Sequence, residues 1–356
     1  MHAKQILFFG PYSPPVTGQS MAFRTVVKSY PKENYCLVDT TKYNSSVINA
    51  IYSIFVSLKL LLVVNSISVI YLTCTRSRLG SIKDLPLLFV AGIKSKRIIN
   101  HLHGADFRSF FVQSGLLKPI LKRAYDNINT SIVLLDAMAK EFEGFRKMNI
   151  EVVSNYYPGE FEEMEIDKPK EIIVTYFSNI IRSKGALEFL NTSKEIYKTR
   201  PDIKFVMVGE FMGDDMMNAS KMKKEVDNFI QSNPNINFDF HGKVDPEERF
   251  GILSRSSIFV LPTYYASEAI PLSIIEAMRC GNVIITTDHN YLPHLIRPQN
   301  GSLVPTQDVD KIVKSILHYA NNPDLMRKIQ LFNIQEAKNN HTEKSYVSSI
   351  QEIIRA

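Results

Sequence analysis

The 356-residue sequence predicts an α/β protein made of two doubly wound, Rossmann-like domains facing a central cleft. Three observations point there. The chain is longer than one hydrophobic core usually serves. Short β-branched runs alternate with apolar stretches of helical period from end to end, the pattern of right-handed βαβ units on a parallel sheet. The alternation pauses once, at "SNYYPGEFEEMEIDKPKE" (154–171), where Pro, Gly and acidic residues read as a linker. The expected domains are 1–156 and 157–335, with a helical terminal segment, 336–356, packing back towards the first.

In the first half the expected strands are 5–10, 35–39, 68–73, 97–102, 130–135 and 150–154. Between them lie helical patterns near 19–30, 46–64, 81–94, 107–126 and 136–146. The second half repeats the rhythm, with strands 172–177, 204–209, 236–241, 257–261, 283–287 and 302–304. Its helices fall near 185–199, 216–232, 246–255, 271–280 and 308–319, and 323–356 is helical without strands. The apolar run before Gly10 and Pro11 is too short for the core of a signal peptide and reads as a buried first strand. The longest apolar stretch, "INAIYSIFVSLKLLLVV" (48–64), is interrupted by Asn49, Ser53, Ser57 and Lys59. A membrane span needs about 20 apolar residues, so a largely buried helix is the expectation.

Three cysteines, Cys36, Cys74 and Cys280, lie far apart and form no metal or redox pair, which suggests free thiols in a reducing, cytoplasmic compartment. Charge is uneven. Residues 1–156 carry 19 Lys and Arg against 9 Asp and Glu, a net +10, leaving 23 against 27 in the remainder, a net −4. The basic half is expected to meet an anionic membrane surface or a phosphorylated acceptor. No recognition motif supports nucleic acid.

The stretch "SEAIPLSIIEAMRCGNVIITTD" (267–288) carries the chemistry. Pro271 suits the first turn of a helix and Gly281 the stop beyond it. The amides around Leu272 and Ser273 then point outward without partners, and with the helix dipole they make an anion site matched to a diphosphate. Glu276 lies about 7.5 Å further along the axis, and Glu268 sits in the loop ahead. Like charges repel, so each carboxylate is placed to accept hydrogen bonds from hydroxyls flanking the phosphates. Spacing alone fits equally a helix start with an acid nearby and a solvated Glu276.

The segment from Ser267 to "NGSLVP" (300–305) resembles the signature of the family 4 retaining glycosyltransferases, which have the GT-B fold: a glutamate, seven residues, a second glutamate, a small-residue helix end, a strand and a Gly-containing turn. The resemblance is strong from about 172 to 310 and weak before it. It implies that Glu268 contacts the donor sugar and Glu276 the ribose hydroxyls, with Ile270, Pro271, Leu272 and Ser273 lining the donor. In "GPYSPPVTGQSMAF" (10–23), it implies that Gly18 admits a phosphate and that the amides of Gln19 and Ser20 open a helix, although Thr17 stands where a second glycine is common. A plain β–α turn is the alternative. In "YFSNIIRSKGALEFL" (176–190), Lys184 matches the lysine that neutralises the diphosphate; Asn179 occupies the arginine position, with Arg182 as a nearby substitute. His103 of "NHLHGADFR" (100–108) resembles the histidine near the reacting sugar, whereas His101 reads as a packed core residue. Backbone groups near Lys243 and Val244 would read the nucleobase. Asp214 and Asp215 read as a solvated loop. The basic, aromatic segment 107–127 fits either a helix lying on an anionic membrane or a core helix with a wet face.

The implied activity is retaining transfer of a sugar from a nucleoside diphosphate sugar to a hydroxyl of a saccharide acceptor, in surface polysaccharide synthesis (O-antigen, capsule or lipopolysaccharide). The acceptor is expected to be lipid-linked, and the location cytoplasmic or peripheral on the cytoplasmic face of the inner membrane. His103, Glu268 and Lys184 are the expected catalytic residues; no metal and no cofactor beyond the nucleotide sugar is expected. A nucleotide-sugar epimerase of the same fold and a catalytically silent nucleotide-sugar-binding subunit are the alternatives.

Overall fold

A computed structural model describes residues 5–356 apart from 15, 16, 65, 146 and 167. Two residues of the 10–23 loop and one of the 154–171 linker therefore lie outside the described residues. The chain divides into two compact units: Met1–Ser154 with Lys344–Ala356, and Asn155–Glu343.

Unit 1 contains strands β1 (Gln5–Gly10), β2 (Tyr35–Asp39), β3 (Ile67–Leu72), β4 (Arg97–His101), β5 (Thr130–Val133) and β6 (Asn149–Val152). Its helices are α1 (Gly18–Lys28), α2 (Ser46–Val63), α3 (Arg78–Ile93), α4 (Phe107–Gln113) and α5 (Lys118–Tyr125). The strands pair in parallel in the order β2-β1-β3-β4-β5-β6. Leu7, Phe8 and Phe9 are wholly buried because helices cover both faces of such a sheet, and a continuous apolar run results.

Unit 2 contains β7 (Ile173–Phe177), β8 (Lys204–Val208), β9 (Phe238–His241), β10 (Ile258–Leu261), β11 (Val283–Thr287) and β12 (Gly301–Val304). Between and after them run α6 (Ala186–Tyr197), α7 (Ala219–Ser232), α8 (Pro246–Arg255), α9 (Leu272–Arg279), α10 (Leu292–Leu295), α11 (Val309–Ala320) and α12 (Pro323–Asn340). This sheet is also parallel, ordered β12-β11-β10-β7-β8-β9. The last helix, α13 (Glu343–Arg355), belongs to unit 1, where the Tyr346 hydroxyl donates to Ala22 O.

Each strand order reverses once, between β1 and β3 and between β10 and β7. In doubly wound sheets ligands bind beyond the carboxyl ends at such switch points. The chain leaves those ends through residues 11–17 and 73–77 in unit 1, and 178–185 and 262–271 in unit 2.

Four local expectations are corrected. The single helix expected at 107–126 is broken at Gly115, whose φ of +59° starts a 3-10 turn between α4 and α5. The segment 136–146 is a 3-10 run, Asp136–Phe142, followed by Gly144 at φ +98°. Pro271 caps α9 in an extended conformation instead of entering its first turn. Finally, α2 is not largely buried. Only Asn49, Ser53, Ser57 and Leu61 are buried among its 18 residues, so three of its four polar interruptions face the protein, while Lys59 and most of its apolar side chains face out.

Candidate functional site

The switch point of unit 2 gathers residues that are far apart in sequence. After β7 a 3-10 turn, Arg182–Lys184, ends at Gly185, which has φ +80°. A Cβ there would lie 2.3 Å from Pro262 O, so glycine alone lets this turn approach the end of β10. Two further contacts fix the turn: Tyr264 N donates to Ser183 O at 2.8 Å, and Ser183 N and Oγ donate to Asp214 Oδ2 at 2.8 and 2.6 Å. Burial would raise the Asp214 carboxyl, but the hydrogen bonds from Ser183 and the following amides outweigh it and hold the pKa below its ordinary value. Asp214 therefore organises the turn, and its reading as a solvated loop residue is corrected.

The turn delivers Lys184 to Glu268. Lys184 Nζ lies 2.5 Å from Glu268 Oε2, and Thr263 Oγ1 donates to the same oxygen at 3.1 Å. Both side chains are nearly buried, and the Lys184 ammonium also lies 5.1 Å from the Tyr265 ring centroid. Asn290 Nδ2 donates to the carbonyls of Ala266 and Glu268, each at 3.0 Å, and Asn155 Nδ2 to Ile270 O at 2.7 Å. The loop that carries Glu268 into α9 is thus braced from two elements.

No side chain among the described residues caps α9. The amides of Leu272 and Ser273, at its first positions, have no intrahelical acceptor to reach. Gly281 ends the helix at φ +69°, with Gly281 N donating to Met278 O and Asn282 N to Ala277 O. Glu276 is buried, and its Oε1 forms an ion pair with Arg249 Nη1 of α8 at 3.2 Å that lacks hydrogen-bond geometry, so among the described residues this oxygen accepts no hydrogen bond. Burial pushes its pKa up and Arg249 pulls it down, with a net rise. A buried acceptor left open is costly unless a ligand completes it. Arg249, held between the rings of Phe161 and Phe177, was missed because it lies 27 positions earlier on another helix.

Other expected donor residues stand as follows. Arg182 Nη1 contacts both Glu188 oxygens at 2.7 Å and its guanidinium covers Tyr264, so its charge is compensated inside the protein. Asn179 O accepts from Tyr176 at 3.2 Å. Lys243 is exposed, 3.8 Å from Glu210, while Val244 packs on Ile173, Val206 and Val208.

Unit 1 gathers a second set at its own switch point. Thr17 caps α1 through a capping box: Ser20 N donates to Thr17 Oγ1 at 3.2 Å and Thr17 N to Ser20 Oγ at 2.8 Å. The Ser20 amide is therefore taken, which corrects its expected role; those of Gly18 and Gln19 remain at the helix start. Gln19 Oε1 accepts from Arg76 Nη2 at 3.4 Å, and Arg76 Nη1 lies 2.5 Å from Asp106. A Cβ on Gly104 would lie 1.3 Å from Arg76 Nη1, so the glycine leaves room for the guanidinium in its present position. His103 stacks on His101 with ring centroids 4.0 Å apart, and its buried Nε2 has no hydrogen-bond partner among the described residues. Burial, with the Arg76 charge second, lowers its pKa to about 3, so the imidazole is neutral and can act as acceptor or donor. His101 is a core residue whose Nδ1 is 2.7 Å from the Tyr71 hydroxyl. Arg76 and Asp106 were not foreseen; their place just beyond β3 and β4 was the available signal.

The family described as "Glycosyl transferases group 1" matches residues 160–333. Over 175 residues, 49% of the chain and 42% of the relative, the sequence is 26% identical to alpha-galactosylglucosyldiacylglycerol synthase of Streptococcus pneumoniae. A GDP-mannose-dependent monoacylated alpha-(1-6)-phosphatidylinositol monomannoside mannosyltransferase of Corynebacterium glutamicum is 19% identical over 156 residues, 42% of the chain and 38% of the relative. The chain thus matches less than half the length of either curated relative. Among solved structures, Anabaena Alr3699/HepE in complex with UDP covers 99% of both chains with a TM-score of 0.76 at 13% identity. A sucrose-phosphate synthase from Thermosynechococcus elongatus covers 99% of this chain and 98% of its own with a TM-score of 0.74 at 14% identity. These two show the fold, a pair of Rossmann-like α/β units of GT-B type. Residues 160–333, within unit 2, are thus similar to the glycosyl transferases group 1 family, and this segment contains the Lys184–Glu268 pair and the start of α9.

Proposed function

We propose that the protein is a retaining glycosyltransferase that moves a sugar from a nucleoside diphosphate sugar to a hydroxyl of a lipid-linked saccharide, in bacterial surface polysaccharide synthesis at the cytoplasmic face of the inner membrane. The observation that carries this reading is the Lys184–Glu268 contact beyond β7 and β10, with Glu268 four residues ahead of Leu272 at the uncapped start of α9. A helix start with free amides takes phosphate. Glu276 Oε1, ion-paired with Arg249 but accepting no hydrogen bond among the described residues, suits a ribose hydroxyl. The Anabaena protein was solved with UDP and with UDP-glucose, and the name of one curated relative gives a glycolipid product and that of the other a lipid acceptor; these support the donor and acceptor classes.

On this reading the diphosphate sits at the amides of Leu272 and Ser273, and Lys184 turns from Glu268 to the phosphate oxygens as charge develops on the leaving group. Glu268, relieved of its cation, accepts hydrogen bonds from the sugar hydroxyls. His103, neutral and with Nε2 open, is assigned to the sugar and acceptor from unit 1. No residue is assigned as a covalent nucleophile; attack comes from the face the leaving group vacates. The positive potential is assigned to Lys184 and the helix start, with no cofactor beyond the donor.

Glu268→Ala is expected to abolish transfer to a lipid extract while donor-induced thermal stabilisation persists. Near-normal turnover refutes the assignment, and conversion of the donor without an acceptor identifies an epimerase instead.

A further inference from the structure

α2 is built inside out. Its inward stripe is Asn49, Ser53, Ser57 and Leu61, with the Asn49 amide bonded at 2.8 and 2.7 Å to the backbone of Tyr43. Its outward stripe is Val47, Ile48, Ile51, Phe55, Leu62 and Val63, each between 52% and 69% exposed. Ile48, Ile51, Phe55 and Leu62 follow the i, i+3, i+7, i+14 spacing that keeps side chains on one line, about 21 Å long at the helical rise. Single exposed apolar residues are ordinary on a protein surface, but a continuous stripe of this length marks something that covers it.

The stripe is not isolated. α2 packs on α3, and α3 on α5. Right-handed crossovers place all three on one side of the sheet. There Leu116, at the Gly115 turn ahead of α5, is 98% exposed, with Ile120 one turn on. Residues 40–83 contain no Asp or Glu, and Lys42, Lys59 and Arg78 are exposed there, whereas Arg76 and Lys83 are held against Asp106 and the Phe9 ring; exposed Lys118 and Arg123 follow near Leu116.

We propose that this face seats the protein on an anionic phospholipid bilayer, with the outer stripe of α2 lying in the headgroup–acyl boundary and the surrounding lysines and arginines on the lipid phosphates. Charge complementarity selects this occupant. A second copy of the chain, meeting face to face as a two-fold dimer does, would bring Lys42 and Lys59 towards their own copies with no carboxylate in the segment to pair them. A bilayer supplies both an apolar layer and an anionic layer at the right depths. α2 is long and apolar enough to cross a membrane, but its stripe of Asn49, Ser53, Ser57 and Leu61 is buried against its own unit, so it lies on the surface and does not span. The inference stands on unit 1 alone and does not depend on the reaction assigned to unit 2.

The test is flotation of the full-length chain with vesicles of phosphatidylcholine, with and without phosphatidylglycerol, alongside sedimentation velocity without lipid. The native chain is expected to float with the anionic vesicles and to remain monomeric. I51S/F55S should lower the partition coefficient more than tenfold, and Lys42→Ala and Lys59→Ala about fivefold each. All four substituted side chains are at the surface or its edge, so thermal unfolding of the variants should match the native chain, and UDP- or GDP-induced stabilisation should be unchanged. Equal flotation of I51S/F55S and native overturns the proposal, as does equal binding to neutral and anionic vesicles. A native dimer that I51S/F55S dissolves, with no flotation, overturns it in favour of a second copy. If nucleotides fail to stabilise the chain but flotation follows the pattern, the donor reading falls and the docking face stands.

Discussion

Removing Lys184 tests whether the two residues that define the site act as a unit. Its ammonium lies 2.5 Å from Glu268 Oε2, with the two side chains 14% and 8% exposed. Deleting one member of a nearly buried ion pair costs roughly 3–5 kcal/mol, because the survivor is left charged and unpaired, whereas deleting both costs far less. Lys184→Met and Glu268→Gln should each fall near that range, and K184M/E268Q well below the sum of the two. Unit 2 comprises 189 residues, residues 155–343, a size at which each kcal/mol moves Tm by about 2–4 °C, so each single variant should lower its transition by roughly 10 °C. Scanning calorimetry of the four proteins reads this directly, and the double-mutant cycle should give a coupling of at least about 2 kcal/mol. Strict additivity would refute the pairing, and with it the claim that the turn after β7 holds Lys184 on the acid ahead of α9.

Further expectations follow from the same geometry. Gly185→Ala forces a side chain into φ +80° and 2.3 Å from Pro262 O, and should destabilise unit 2 by more than the roughly 1 kcal/mol of an ordinary left-handed position; a neutral Tm would contradict the close approach. Asp214→Asn weakens the hold on Ser183 and should raise the apparent donor Kd severalfold without unfolding the chain, as calorimetric titration would show. The folded-state pKa of His103, about 3, lies below the unfolded value near 6.5, so the unfolded state binds the extra proton between those limits and stability falls as pH drops through them. Because the ring is partly accessible, about 2 kcal/mol between pH 6.5 and pH 5 is an upper bound, and His103→Gln should flatten that part of the Tm–pH curve. Buried His101, whose pKa is also lowered, sets the residual slope.

The strands were legible because strands buried on both faces are near-continuous apolar runs bounded by turn residues; β1 and β11 are examples. The switch-point loops were legible through Lys184, Glu268 and Pro271. Less accessible was anything that depends on direction or on distant partners. The composition of α2 announced an apolar helix but not which side would face the sheet. Asn49, Ser53 and Ser57 read as flaws in a buried helix, when they are the stripe that packs. The Lys184–Glu268 contact joins residues 84 apart, and Arg76 meets Gln19 across 57. The box at Thr17 uses serine in place of the usual glutamate or glutamine at its third position, which hid the cap. Asp214 read as surface because its long-range partner, Ser183, lies 31 residues earlier.

The central claim is that the start of α9, with Glu276 behind it, grips a nucleoside diphosphate. Calorimetric titration of UDP and GDP into the native chain and into E276A/R249M, which removes the buried pair together and so leaves no charge stranded, tests it most directly. One of the two nucleotides is expected to bind the native chain, and the double variant to bind it at least about tenfold more weakly, the value of a lost hydrogen bond to a charged group. Unchanged affinity in the double variant, or no binding of either nucleotide to the native chain, would contradict it.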